Sequence, residues 1–370
     1  MLLSSVISRA LVSVLAVTGL ATPHSPGASP EARRPDPLVV QVTPPFGAYP
    51  RNLKIRITRR EADVISGVTR GIRDLSSVTP LTERLLTWHL EPGVDRSPTL
   101  QLARSALYSL QRLLESYGVL EGQATDIVVG RTQKYLNETV NSLQCRPDMS
   151  FTFGQYLMGS SLCGSRILVM NLTGYLFLDS LRPITAADEA RSEPPLRQVS
   201  YLLVDRNTSG LAHEWAHSVR AMVAGGEVPD GEPTWMAEGM AEFAAGLARV
   251  AAFSPGLTFP ELHVMKVRLF ADWPYVCSTD LSFYDTHNRE LNDCEYILGF
   301  LAIELLVSQF GGLQKLLEVY RSVASGLGYR ESFQSVYGMS LDSFEQLAND
   351  YIKTVATVGF GTSFRLPVRG

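Results

Sequence analysis

Two histidines four residues apart, with a glutamate between them, are the residues of this chain best placed to do chemistry: His213-Glu214-Trp215-Ala216-His217. On an α-helix, positions i and i+4 lie about 40° apart around the axis, so both imidazoles project from one face. Two neutral imidazoles about one turn apart can grip a single zinc ion. Glu214 points to the side, towards a water that the metal would acidify, and is placed to act as its base. Such a match arises by chance in roughly 1% of chains of this length, so the pattern needs support from elsewhere. The bland alternative is a helix with two incidental histidines. The chain has six histidines in all, and finding two of them here weakens that alternative.

A catalytic zinc site takes three protein ligands and keeps one position open. In the metzincin pattern a glycine and then a histidine follow the second ligand at three and six residues. Arg220 and Val223 occupy those positions, which closes that route. The other common source is a glutamate on a second helix. Downstream runs Pro233-Thr234-Trp235-Met236-Ala237-Glu238-Gly239-Met240-Ala241-Glu242-Phe243. Glu238 and Glu242 share a helix face, where two carboxylates repel. A metal and its histidines would remove that repulsion. Glu238 is the candidate third ligand. Glu242, one turn on, is placed to accept the other ring N–H of a ligand histidine, His213 in the simplest arrangement, which would fix its tautomer. The plain alternative is an amphipathic helix with two solvated glutamates.

Together these segments resemble the gluzincin clan of zinc metallopeptidases, which includes thermolysin and the aminopeptidase N type. The nearest likeness is the "peptidase MA-like" domain, with its W-x-x-E-G-x-A-E segment. Twenty residues lie between His217 and Glu238, a spacing compatible with the clan. The likeness covers roughly residues 200 to 355. It implies a zincin-like fold, with Zn2+ held by His213, His217 and Glu238 and with Glu214 as general base. Tyr296-Ile297-Leu298-Gly299 resembles the Y-x-x-G helix of such peptidases, whose tyrosine donates to the oxyanion. A phenol suits that role because it donates without carrying a net charge. A tyrosine packed into a helical core is the ordinary alternative. Gly338 to Glu345 looks like the G-x-S-x-x-x-x-E stretch that opens the last helix of these domains. The Gly-x-Met-Glu-Asn segment that binds a substrate's free amine in aminopeptidases is missing, so endopeptidase and carboxypeptidase activity stay open. The resemblance implies a peptide or protein substrate. A non-catalytic scaffold on a zincin fold and a hydrolase of a non-peptide substrate remain competing readings.

The elements that must position these residues can be read in outline. The expected fold class is α+β, with a small N-terminal mixed sheet and a mainly helical C-terminal part. Leu53, Ile55 and Ile57 alternate with polar residues as a strand does. Ser97-Pro98 opens a helix, with Ser as cap and Pro in the first turn, that Gly118 ends. Ile127–Val129, Ile167–Leu172 and Tyr201–Val204 read as further strands. The metal helix is expected from about Ser209 to Ala224 and the second ligand helix from about Thr234 to Ala251. Residues 252–291 look less regular and are candidates for a substrate rim. Helices are expected near 292–309, 312–325, 328–337 and 341–357. No internal repeat is present.

Composition sets the outer limits. The chain has 370 residues, 45% hydrophobic and 19% charged, which suits a globular protein with a sizeable core. A net charge of −4 and the lack of any lysine run argue against a nucleic-acid partner. Residues 1–21 read as a signal peptide: Arg9 precedes an apolar run too short to span a bilayer, and Gly19 and Ala21 suit cleavage. Residues 22–50 read as a flexible leader, 51–200 as the N-terminal α/β part, 201–358 as the zinc-binding helical part and 359–370 as a tail. A secreted or otherwise extracytoplasmic location follows, with no stable membrane span after signal cleavage. Four cysteines fit export. The favoured pairings are Cys145–Cys163 and Cys277–Cys294, each closing a loop worth about 3 kcal/mol in the chain-entropy model.

Overall fold

The start and stop signals in the sequence act where physical chemistry puts them. Ser97 caps the helix Pro98–Glu115, its Oγ accepting from Leu100 N at 3.3 Å, and Gly118 just beyond takes a φ of 69°. Thr58 and Glu61 form a reciprocal capping box at the head of Arg59–Gly71. Gly338, at φ 71°, ends one helix, and Ser340 caps the next. The G-x-S segment is therefore a stop followed by a start.

The computed structural model describes residues 38–42, 53–72, 86–119, 125–143, 160–162, 166–172, 194–226, 229–253, 257–269, 277–285 and 294–358. All of these lie in one unit, Asp36–Gly370. In chain order the elements are β1 (Leu38–Val42), β2 (Leu53–Ile57), α1 (Arg59–Gly71), β3 (Leu86–Leu90), α2 (Pro98–Glu115), β4 (Thr125–Gly130), α3 (Gln133–Ser142), β5 (Ser160–Leu162) and β6 (Ile167–Asn171). There follow α4 (Pro194–Val223), α5 (Thr234–Phe253), α6 (Phe259–Val264) with a π-helical extension Met265–Leu269, and a 3-10 turn Leu281–Tyr284. The last elements are α7 (Cys294–Gln309), α8 (Gly312–Ala324), α9 (Tyr329–Tyr337) and α10 (Leu341–Ala356). The protein is thus mixed α/β and mostly helical.

β1 and β2 form an antiparallel pair, and the second sheet has the order β3-β4-β6-β5. β3, β4 and β6 run parallel, while β5 is antiparallel to β6. β4 and β6 are buried on both faces, which is why they read as nearly continuous apolar runs, whereas β3 is buried only at Leu86. Ile127, Val129, Leu168 and Met170 face the main core, and Val128, Ile167 and Val169 pack with Leu136 and Val140 of α3. α4 lies alongside β5 and β6.

α5 is the centre of the helical part and packs against α7, α4 and α2. Its contact with α7 is backbone on backbone. A Cβ placed on Gly239 would stand 2.3 Å from the carbonyl carbon of Gly299, and one on Gly299 would stand 2.1 Å from the Trp235 oxygen. Neither obstacle is a movable side-chain end, so only glycine fits at either position. At its head, α5 is tied to α10 by Trp235 Nε1, which donates to Glu345 Oε1 at 3.3 Å. The disulfide Cys277–Cys294 ties the segment before the 3-10 turn to the first residue of α7, with Cα atoms 5.8 Å apart.

Three expectations are corrected. Tyr201–Val204 is not a strand: it belongs to α4, which begins at Pro194 rather than near Ser209. A four-residue apolar run has no period that separates strand from buried helix. The supposed leader contains β1, a short valine-rich run paired with β2. Much of the supposed rim is interior: Leu257, Phe259, Leu262 to Met265 and Val267 are buried. Residues 1–21 and 359–370 and the Cys145–Cys163 pairing lie outside the described residues.

α1, α6 and α7 meet around a buried charged triad. His263 Nδ1 lies 2.8 Å from Glu304 Oε2, and its Nε2 lies 3.2 Å from Glu61 Oε1. All three side chains are fully buried. Burial opposes a charge on His263, but Glu304 and Glu61 override it and push the imidazole up to about 9 from 6.5. A histidine raised in the folded state contributes stability that is complete below the unfolded value and is lost as pH rises through the folded one.

Two outcomes are expected. Denaturant unfolding of the wild type should show stability falling between pH 6.5 and about 9, and part of that slope should vanish in His263→Gln; an unchanged slope in that variant would contradict the protonated triad. Gly299→Ala should lower unfolding free energy by about 1–3 kcal/mol or more by overpacking the α5–α7 contact; an unchanged denaturation midpoint would show that the contact is not tight.

Candidate metal centre

α4 and α5 supply the converging groups. His213 and His217 stand one turn apart on α4, and Glu238 and Glu242 one turn apart on α5. His213 is 7% exposed and Glu238 8%, whereas His217 and Glu214 are half-buried. His213 Nε2 lies 3.1 Å from His217 Nε2 and 3.2 Å from Glu238 Oε2, and His217 Nε2 lies 3.3 Å from the same oxygen. These three atoms form a nearly equilateral triangle. A tetrahedral ion with N and O ligands at about 2.0–2.1 Å has ligand–ligand edges of about 3.3 Å. The donor set therefore fits three corners of such an ion, and His213, His217 and Glu238 could hold one.

The electrostatics demand positive charge at this point. Burial disfavours a charged His213, yet Glu238 and Glu242 outweigh it and push the imidazole up to about 10. His217 goes the other way, lowered by burial to about 4 despite the nearby Glu238. Burial alone would raise Glu238, but His213 and His217 hold it well below the usual carboxylate range. A proton on His213 supplies the charge that the carboxylates require. A cation in the triangle would supply the same charge and displace that proton, since metal ligation needs neutral imidazoles.

Behind the triangle, Glu242 Oε1 lies 3.0 Å from His213 Nδ1, with the ring N–H off the straight hydrogen-bond line. The i, i+4 pair of glutamates thus addresses the two nitrogens of a single histidine. Tyr296, on the first turn of α7, brings its ring to 5.6 Å from the His213 ring, tilted by 31°. Its place follows from the glycine contact, because Gly299 lies one turn after Tyr296 and Gly239 directly follows Glu238. Glu214 adjoins His213 on α4, and its charge acts on that imidazole.

Two participants left no motif. Lys266 is 4% exposed and pairs with Glu242 Oε2. Its only trace in the sequence is a lysine one turn after His263 in an apolar segment. Arg220, noted above only as the wrong residue for a metzincin glycine, pairs with Glu232, which also accepts from Tyr320 Oη at 2.7 Å. That pairing fastens the last turn of α4 to the segment leading into α5, so it sets the spacing of the two ligand helices.

No family model, curated protein or solved structure matches the chain.

His217→Ala and Glu238→Ala should each abolish tight uptake of a divalent transition-metal ion while the fold persists. Elemental analysis after dialysis checks this, and stoichiometric metal in either variant would remove that residue from the ligand set.

Proposed function

We propose that the chain is an exported zinc-dependent peptidase of the gluzincin type. The observation that carries this reading is the triangle of His213, His217 and Glu238 donors with Glu214 beside it. Two imidazoles and one carboxylate from separate helices are the donor set of hydrolytic zinc sites, which leave a fourth position open. Bound zinc would polarise a scissile carbonyl and acidify a water. Glu214 takes the proton of the attacking water and delivers it to the leaving amine. Its half-exposed position suits a base that must meet substrate. Tyr296 donates its phenolic proton to the oxygen that becomes negative in the transition state. Glu242 keeps His213 in the tautomer that presents Nε2.

The surroundings agree with this reading. Among the described residues β5 is the terminal strand in its sheet order, runs antiparallel to β6 and lies beside α4. An extended peptide added along such a strand would pass the metal helix, which is how peptides join sheet edges. The zincin-like fold is proposed on the same grounds. The disulfide Cys277–Cys294 is consistent with an extracellular location. Among the described residues no single helix is long and apolar enough to cross a membrane.

The deciding experiment is Glu214→Gln. Zinc content should stay at the wild-type level while peptide-library cleavage falls by about 10²–10⁴-fold. Full activity in that variant would refute the mechanism, and absence of turnover by zinc-loaded wild type would favour a non-catalytic role.

A further inference from the structure

We propose that Lys266 is a positioning residue of the metal centre, dividing the Glu242 carboxylate so that one oxygen is fixed on His213. The inference rests on the zinc reading above and extends it to a residue outside the motif helices.

Lysine is among the residues least often buried, because its ammonium is strongly hydrated. Lys266 is nonetheless only 4% exposed. It lies in Met265–Leu269, a π-helical segment continuing α6. Such segments are rare and are frequent at functional sites. Its Nζ meets Glu242 Oε2, while Glu242 Oε1 lies 3.0 Å from His213 Nδ1. Each carboxylate oxygen therefore has its own partner. With Oε2 held by a buried cation, the carboxylate cannot turn away from the imidazole. Held by zinc through Nε2, His213 would carry its proton at Nδ1, beside Glu242 Oε1.

Burial of an ammonium is tolerable only beside an opposite charge, and Glu242 supplies that charge to Lys266. The Lys266 Nζ also lies over the Phe300 ring, 5.4 Å from its centroid. That contact contributes packing, but it does not explain why an ammonium is placed on Glu242.

A double-mutant cycle on zinc affinity, measured by chelator competition, tests the proposal. Lys266→Met should weaken zinc binding by about 10–100-fold, the usual effect of losing a group that orients a ligand. Glu242→Gln should weaken it comparably, and Lys266→Met should add no further loss in that background. In zinc-loaded protein the Nδ1–H resonance of His213 should shift in Lys266→Met. Affinity within about twofold of wild type, an unshifted resonance, or losses that multiply would each overturn the proposal. Should Lys266→Met fail to fold because Glu242 is left unpaired, the double variant, which removes both charges, decides. Zinc binding equal to that of Glu242→Gln supports the proposal, and a further tenfold loss overturns it. Wild-type protein that takes up no zinc would sink the peptidase reading itself, whereas undiminished affinity in Lys266→Met sinks this inference alone.

Discussion

The architecture of the site depends on how closely α5 and α7 can approach. Gly239 and Gly299 let the two backbones touch where any side chain would collide with carbonyl groups. Glu238 lies one residue before the first glycine and Tyr296 three before the second. The contact therefore brings a candidate ligand carboxylate and a phenol to the same end of the helix pair. Trp235 adds a second link, because its backbone oxygen borders Gly299 and its indole binds Glu345 of α10. The segments around Trp235, Tyr296 and Gly338 lie far apart in sequence but meet at one junction.

A second constraint is the cost of placing charge in a low-dielectric interior. His213, Glu238, Lys266, His263, Glu304 and Glu61 are all buried. An unpaired ion there would cost several kcal/mol, and a paired one with complementary partners far less. The molecule meets this by pairing opposite charges: His263 with Glu304 and Glu61, Lys266 with Glu242, and His213 with Glu238 and Glu242. Arg220 and Glu232 solve the same problem at the far end of α4, where burial raises Glu232 to about 7 even beside a guanidinium. The two pairings hold α4, α5 and the π-helical segment in register around the donor atoms.

Much of the helical half could be read in advance. Residue pairs at i, i+4 put their side chains on one face whatever surrounds the helix, so the sequence located the two helices that carry the candidate donors. Caps are equally local, and Ser97, Gly118, Gly338 and Ser340 act as their types require. The cysteine pair Cys277–Cys294 was legible from spacing. What failed was short or non-local. Tyr201–Val204 carries an apolar run that suits either element, and the valine-rich β1 is masked within a Pro-rich stretch, although it pairs with β2. The segment around His263 and Lys266 looked like an irregular rim because its polar residues point inward to partners on other helices.

By itself the sequence determined which residue types share a helix face: His213 with His217, and Glu238 with Glu242. Helical geometry fixes such relations within a few residues, independent of the fold. Only the tertiary structure decided that Glu238 meets both histidines, that Glu242 backs His213, and that Lys266 holds Glu242. Those contacts join residues on different elements, and their distances depend on how closely helices pack. Here that closeness is set by two glycines and by the pairing of buried charges.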